Sequence, residues 1–105
     1  MQGFVFRLIA PRPDFPFTMT EDERAVMTAH ARYWAGLAAA GQALAFGPVD
    51  DPAGPYGLGV VVAADLHEAE TLRDGDLALQ SGRGFRTEIA PMLSLVTRDQ
   101  RFDAT

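Results

Sequence analysis

The sequence predicts a single α+β domain of ferredoxin-like type, in which strands and helices follow the order βαββαβ. Three observations predict it: strand-like alternation near both ends of the chain, one long amphipathic helix with clear capping residues, and a shorter capped helix in the second half. We expect a four-stranded antiparallel sheet with both helices on one face. Residues 1–105 are predicted to form one domain that ends in a polar tail at about 97–105.

The first half of the chain contains the clearest helix signal. Residues 3–10 alternate in a way that predicts a strand largely buried on both faces. The three prolines of residues 11–17 exclude a regular helix there. A helix is predicted over residues 21–40, because Thr20 is a good N-cap and Glu23 completes a capping box with it.

The second half predicts two strands, a short helix and a last strand. The expected ranges are 42–46, 56–63, 66–73 and 85–96, in that order. Gly47 and Pro48 are expected to end the first of these strands, and Asp65 to cap the helix. Asp76 begins a further short turn of helix. Pro91 lacks a backbone N–H, so we expect a bulge or an edge position there.

The sheet face opposite the helices is predicted to be an interface between copies of the chain. In the strand at 56–63, Leu58 and Val60 share one face, whereas Gly57 and Gly59 share the other. Small residues mark the close approach of a helix, a ligand or another subunit. The face with the larger apolar residues is too extensive to leave in water, so we expect a homodimer joined sheet to sheet.

Composition excludes several kinds of chemistry. The chain has no cysteine, which rules out thiol nucleophiles, disulfides and thiolate metal sites. All nine basic residues are arginine, so lysine Schiff bases and lysine-dependent phosphate loops are excluded as well. The net charge of -5, with arginines scattered along the chain, argues against nucleic acid as a partner.

The expected location is cytoplasmic. The first strand lacks the basic segment of a signal peptide. No apolar run approaches the ~20 residues that are needed to cross a bilayer. We therefore expect no membrane partner.

His30 is the residue that most strongly suggests chemistry. It lies in the apolar stripe of the long helix, four residues after Val26 and three before Tyr33. An imidazole in such a position is either a satisfied structural histidine or the working group of a pocket. His67, in contrast, has polar neighbours and is expected to be solvated. Because no metal-ligand spacing accompanies either histidine, we expect no metal site.

A general acid–base pair needs only an imidazole and a carboxylate within hydrogen-bond distance. Asp76 and Asp74 are the candidate carboxylates: Asp76 lies just beyond a helix end, and Asp74 fits the Asp-Gly turn that ends the helix. Spacing alone does not choose between them. Arg7 would supply a cation to an anionic oxygen, or form a surface or interface salt bridge. Phe15 and Phe17 would close a pocket.

The motifs of the chain, taken in order and spacing, resemble the YCII-related family, also called YciI-like. They are Phe4-x-Phe6-Arg7-Leu8, Met27-x-x-His30, Tyr33, Leu37, Gly41, Gly47-Pro48, Pro52-x-Gly54, Asp76, Gly82 and Ile89-Ala90-Pro91-Met92. The resemblance implies a ferredoxin-like fold that forms a dimeric α+β barrel, and a His–Asp pair in a cleft at His30 and Asp76. Leu77 stands where the family often has proline, so the resemblance does not fix the orientation of Asp76.

The leading hypothesis is a small enzyme of isomerase or lyase type that needs no cofactor. His30 and Asp76 would be its catalytic residues, acting on a small oxygenated, cyclic or aromatic molecule. The expected substrate-binding residues are Arg7, Phe15, Tyr33, Gly47 and Pro48. Hydrolysis fits less well because no activated serine or threonine is evident.

Two alternatives stay open. One is a non-catalytic ligand-binding or interaction domain in which His30 only forms a hydrogen bond in the core. The other is a haem-handling or cofactor-free monooxygenase of the wider barrel architecture, suggested by the i,i+4 spacing of His30 and Trp34.

Overall fold

A four-stranded antiparallel sheet with several helices makes up most of the chain in the computed structural model, which describes residues 1–104. The elements in chain order are β1 (Gln2–Ile9), α1 (Phe15–Thr18), α2 (Glu21–Ala39), β2 (Ala43–Val49), β3 (Tyr56–Ala63), α3 (Leu66–Asp74), α4 (Leu77–Gln80), β4 (Arg86–Pro91), β5 (Ser94–Val96) and β6 (Arg101–Asp103). The order in the main sheet is β2-β3-β1-β4, and β5 pairs with β6 in a separate ribbon. The predicted α+β class and four-stranded sheet are confirmed. Among the described residues, no helix has both the length and the apolar character that crossing a membrane requires.

The core lies on one face of β1 and β3, the two central strands. Phe6 of β1 pairs with Gly59 of β3, and the ring of Trp34 from α2 meets the Phe6 ring edge-on with the centroids 5.5 Å apart. A Cβ atom on Gly59 would overlap the Trp34 ring. Of the three explanations for small residues on this face, the close approach of a helix is the one observed at Gly59.

The long helix begins as predicted. The Glu23 backbone N–H donates to Thr20 Oγ1 at 3.2 Å, and the Thr20 N–H donates to Glu23 Oε1 at 2.9 Å. This reciprocal capping box satisfies two backbone donors that a helix start would otherwise leave unpaired. The helix then runs from Glu21 to Ala39 and places His30 in its middle.

Two predictions about proline-containing segments are wrong. The segment after β1 does contain a short helix, α1, with Pro16 in its first turn, where the missing N–H has no helical partner to lose. The second strand does not end at Gly47 and Pro48 but includes both of them and runs to Val49. Because β2 lies at an edge of the sheet, the missing N–H of Pro48 costs little there.

The C-terminal part also differs from the prediction. The single strand expected at 85–96 is divided into β4 and β5. β4 is the other edge strand of the sheet and ends at Pro91, which therefore has the edge position expected for it. Within the predicted polar tail, β6 pairs with β5. Leu95 of this hairpin is buried against Gly3, where a Cβ atom would lie 2.8 Å from the Leu95 Cβ. The hairpin therefore covers one end of the sheet face opposite the core.

Candidate acid–base site

His30 and Asp76 meet although 46 residues separate them in the sequence. His30 Nδ1 lies 2.8 Å from Asp76 Oδ2 and 2.9 Å from Oδ1, and the two side chains are 14% and 4% exposed. Asp74, the rival carboxylate, instead points to solvent and pairs with the neighbouring Arg73 at 3.0 Å. Asp76 is therefore the carboxylate that the fold brings to His30.

Asp76 is held in place by three different groups. Besides the imidazole, it accepts a hydrogen bond from Trp34 Nε1 at 3.0 Å and one from the Ala78 backbone N–H at 2.9 Å. The Ala78 contact makes Asp76 the N-cap of α4, with an extended backbone at φ -72° and ψ 124°. Because this cap geometry fixes the side chain, Asp76 points at His30 with Leu77 after it and needs no proline there.

The environment keeps the Asp76 carboxyl ionised. Burial by itself raises the pKa of Asp76, but the hydrogen bonds from His30, Ala78 and Trp34, together with the charge of His30, outweigh it and hold the pKa below its usual range. An ionised carboxylate only accepts hydrogen bonds, so Nδ1 of His30 must carry the hydrogen. In the neutral imidazole, Nε2 is then the unprotonated nitrogen with a free lone pair.

The second ring nitrogen of His30 is accessible. Both hydrogen bonds of the imidazole within residues 1–104 involve Nδ1, so Nε2 has no partner there. In the same part of the chain no buried side-chain nitrogen or oxygen lacks a partner. An unpartnered Nε2 must therefore be exposed, and His30 is one of the residues that line a pocket.

This pocket, which we call the apolar pocket, has a volume of about 350 Å³. Among its described lining residues, only His30 and Tyr56 carry polar side chains. The apolar walls come from β1, the segment from α1 to α2, α2 itself, β2 and the residue just before β4. The largest of these side chains are Leu8, Phe15, Met19, Met27, Phe46 and Phe85. Within the described chain, no three His, Asp or Glu side chains are grouped to hold a metal ion.

Three of the five residues that were expected to bind substrate line the apolar pocket. Phe15 forms part of one wall, where its ring meets that of Phe85 edge-on at 5.2 Å. Gly47 and Pro48 of β2 form part of the lining as well. Phe17, which lies in α1 with Phe15, is 80% exposed and lies outside the lining.

The other two, Tyr33 and Arg7, lie elsewhere. The Tyr33 hydroxyl donates to the Leu72 carbonyl at 2.6 Å and so joins α2 to α3, and burial together with the Asp76 charge raises the pKa of Tyr33. Arg7 lies on the sheet face opposite the core, 3.6 Å from a carboxylate oxygen of Glu88. Neither side chain is part of the pocket lining.

Two large residues of the pocket wall were not predicted from the sequence, whereas Met27 and Trp34, three residues before and four residues after His30, were already placed near it by helical spacing. Phe46 and Phe85 come from distant strands and loops, and no local pattern connects them to His30. Their place in the pocket depends on the sheet pairing.

A comparison with known protein families matches residues 4–93 to the YCII-related domain. The chain belongs to the YCII-related family. The YCII-related region contains every residue that lines the apolar pocket, along with both members of the His–Asp pair, and it ends just before the β5–β6 hairpin. Comparisons with curated proteins and with solved structures found no match.

Proposed function

We propose that this YCII-related chain is a small acid–base enzyme that moves a proton on an apolar, oxygenated molecule bound in the apolar pocket. His30 is the group that takes and returns the proton, and Asp76 orients it. The observation that carries the proposal is the difference between the two ring nitrogens of His30. Nδ1 is bound by a buried carboxylate at 2.8 Å, while Nε2 is unpartnered in a histidine that lines a pocket.

The chemistry follows from this difference between the two ring nitrogens. Nε2 accepts a proton from a carbon beside a carbonyl group, and the C–H electron pair moves into the carbonyl to give an enolate. The imidazolium that forms is stabilised by the Asp76 carboxylate, which stays ionised. In an isomerase the same proton returns to another carbon of the substrate; in a lyase a leaving group departs from the enolate. General acid–base catalysis by one positioned group accelerates a reaction about 10²- to 10⁴-fold.

The lining of the pocket suits the body of such a substrate. Ligand pockets are mostly apolar and orient their ligand with a few polar groups. Here the aromatic and methionine side chains provide a surface for a cyclic or aromatic molecule, and the polar groups are few. No cofactor enters this scheme, because proton transfer needs none.

The alternative is a non-catalytic ligand-binding domain. It is favoured by the second role of Asp76, which caps α4 and accepts from Trp34 as well as from His30. In that case the His–Asp pair would serve folding alone, and the pocket would bind a ligand without changing it.

The finer description of fold and assembly is part of the same proposal. The strand order β2-β3-β1-β4 and the alternation of strands and helices support a ferredoxin-like arrangement. The face of β1 and β3 away from the core contains Val5, Ile9, Leu58 and Val60, all of them partly exposed. These residues support a homodimer through that face, as in a dimeric α+β barrel. The single domain and the cytoplasmic location stay predictions.

The test is proton exchange on simple carbon acids. α-Angelica lactone and β-tetralone in D₂O, followed by proton NMR, report abstraction from a carbon beside a carbonyl. We expect the wild type to accelerate exchange of at least one of them, and His30→Gln to lose about 10²- to 10⁴-fold of that acceleration. His67→Gln is the matched control, since His67 lies exposed on α3. Full activity in His30→Gln, or no exchange above that of buffer with either probe, would contradict the proposal.

A further inference from the structure

Trp34 donates to the same carboxylate oxygen that lies closest to His30. Its Nε1 is 3.0 Å from Asp76 Oδ2, and His30 Nδ1 is 2.8 Å from that oxygen. The Ala78 N–H donates instead to Oδ1, at 2.9 Å. Trp34 and Asp76 are 5% and 3% exposed, so solvent screens the contact little. The indole and the imidazole therefore share the charge of one buried oxygen.

The indole ring is held in the orientation that brings its N–H to Asp76. The ring of Phe6 meets it edge-on at 5.5 Å. Gly59 leaves the space that the ring occupies, since a Cβ atom there would overlap it. Trp34 also stands four residues after His30 on α2, so one turn of the helix sets the spacing of the two donors.

A donor to Asp76 affects the protonation of His30. While the imidazole is neutral, Asp76 keeps its full negative charge and the indole N–H binds it strongly. Once His30 is protonated, the imidazolium neutralises part of that charge and the indole bond weakens, because hydrogen bonds to charged acceptors are roughly twice as strong as those to neutral ones. The contact of Trp34 therefore stabilises the state in which Nε2 of His30 keeps its lone pair.

The surroundings of the pair contain few other titratable groups. The small cavity beside it is lined, apart from His30, Trp34 and Asp76, by uncharged residues of β1, β3 and β4. The residues of α4 carry no charge either. Tyr33 of α2 senses the charge of Asp76, but its pKa is raised, so its hydroxyl stays protonated at neutral pH. Asp74, at the end of α3, is exposed and paired with a neighbouring arginine.

We propose that Trp34 is a positioning residue of the acid–base site, which holds the shared oxygen of Asp76 and keeps Nε2 of His30 unprotonated to a lower pH than the carboxylate would without it. The inference rests on the proposed function in taking Nε2 as the group that accepts the substrate proton. It goes further by giving a core tryptophan, which touches no substrate, control over the proton affinity of that nitrogen.

The single tryptophan of the chain permits a conservative test. Biosynthetic incorporation of 3-benzothienylalanine changes Trp34 alone and replaces its N–H by sulfur in a ring of similar shape. NMR of the imidazole signals in the ligand-free protein gives the pH at which His30 is half protonated. We expect this pH to rise by about 0.5 to 1 unit in the benzothienyl protein. Trp34→Phe removes the same donor and should shift it in the same direction.

Three controls show whether the effect passes through Asp76. Tyr33→Phe removes a hydrogen bond between α2 and the Leu72 carbonyl but no donor to Asp76, and should leave the half-protonation pH of His30 unchanged. In Asp76→Asn, the benzothienyl replacement should no longer raise it, because the acceptor carries no charge. His67, exposed on α3, is the internal reference in every spectrum.

Ligand binding separates this role from the shape of the pocket. Trp34 lies outside the lining of the apolar pocket. The benzothienyl protein should therefore bind β-naphthol, an uncharged bicyclic probe, as tightly as the wild type in isothermal calorimetry at a pH where His30 is neutral in both. A changed affinity would mean that Trp34 shapes the pocket, and would overturn the inference.

Two results of the titration would also overturn it: a half-protonation pH that stays constant or falls in the benzothienyl protein, or an equal rise in the Asp76→Asn background. The proposed function would fail differently, through proton exchange that persists in His30→Gln or through a wild type that does not bind β-naphthol. Because the titration uses the free protein and needs no turnover, the two failures are distinguishable.

Discussion

Two buried carboxylates, Asp76 and Glu23, are built in similar ways but end in different partners. Asp76 is 3% exposed and Glu23 is 6% exposed. Each takes part in a helix cap: Asp76 accepts from the Ala78 N–H at the start of α4, and Glu23 accepts from the Thr20 N–H at the start of α2. Each also binds one basic side chain.

The basic partner decides what each carboxylate can do. Arg12 donates to both oxygens of Glu23, at 2.8 and 2.7 Å, and also to the hydroxyl and carbonyl of Thr18. Arginine keeps its charge at any ordinary pH and has no lone pair to offer. His30 binds its carboxylate through one nitrogen and keeps the other free. A buried carboxylate therefore holds the chain in place when its partner is arginine, and orients an acid–base group when its partner is histidine.

The arginine pair still affects the pocket from outside. It ties the segment after β1 to the first turn of α2, and that segment contains Phe15, which forms part of the pocket wall. Arg12 also lies 5.3 Å from the centre of the Phe15 ring. The Arg12–Glu23 pair thus sets the shape of a wall, whereas in the proposed function the His30–Asp76 pair would supply the chemistry.

The largest expected effect is that of Asp76→Ala. It leaves the His30 imidazole, the Trp34 indole and the Ala78 N–H without their acceptor, and removing one partner of a buried pair lowers the free energy of unfolding by about 3–5 kcal/mol. Urea unfolding followed by circular dichroism measures it. Asp74→Ala is the matched control and is expected to change the free energy of unfolding by less than about 0.5 kcal/mol, because Asp74 is exposed. Equal losses in the two variants would contradict the special place of Asp76.

Trp34→Phe should have the next largest effect. It keeps an aromatic ring against Phe6 but removes the indole donor to Asp76, and the loss of a hydrogen bond to a charged group lowers the free energy of unfolding by about 1–3 kcal/mol. The same urea titration measures it. If this variant were as stable as the wild type, the third donor to Asp76 would contribute nothing.

Arg12→Met should lower stability less than Asp76→Ala does, because the Arg12 side chain is 35% exposed. Its distinctive effect is on the pocket: we expect weaker binding of β-naphthol, since Phe15 loses its anchor, with an unchanged rate of proton exchange once substrate is bound. Binding by calorimetry and exchange at saturating probe measure the two quantities. Thr20→Ala is the control, as it removes a cap contact without releasing the segment that contains Phe15. If the proton-exchange rate at saturating probe fell as far as in His30→Gln, the proposed difference between the Arg12–Glu23 and His30–Asp76 pairs would be contradicted.

The smallest expected effect is a change in the free energy of unfolding at low pH. The hydrogen bond from Arg12, with that of the Thr20 N–H, lowers the pKa of Glu23 to about 2, against about 4.3 in an unfolded chain. The unfolded chain thus binds the proton more readily, so the stabilisation is complete above the unfolded value and is lost as the pH falls through the folded value. The difference in unfolding free energy between wild type and Glu23→Gln should shrink between about pH 5 and about pH 2.

The difference in unfolding free energy between the wild type and Asp76→Asn should also shrink as the pH falls below about 3.9, the unfolded pKa of Asp, because the pKa of Asp76 is lowered in the folded protein. A difference that grows on acidification in either variant would contradict the direction of both shifts.

Sequence patterns predicted those contacts of Glu23 and Asp76 that join residues close together in the sequence. The capping box of Thr20 and Glu23 spans three residues, so spacing was sufficient to place it. The same spacing could not reveal Arg12, whose contact with Glu23 depends on how the proline-containing segment folds back. Nor could it choose Asp76 over Asp74, because that choice depends on where α4 sits beside α2; family resemblance selected it.

The strand boundaries failed for a similar reason. Gly47 and Pro48 have turn-forming preferences, and pairing with β3 overrides them. The β5–β6 hairpin is short, and within residues 1–104 Leu95 is its one buried side chain. Strands of three residues each are too short for a periodicity that predicts them.

The contact between Trp34 and Asp76 gives the site an optical reporter of its own. The chain has one tryptophan, its indole N–H is bonded to the carboxylate that holds His30, and its ring lies 6.0 Å from that of Phe46 in the pocket wall. Indole emission shifts with the charge and the water around the ring. The fluorescence of the unlabelled protein should therefore report both the charge state of the His–Asp pair and the filling of the pocket, with no dye attached.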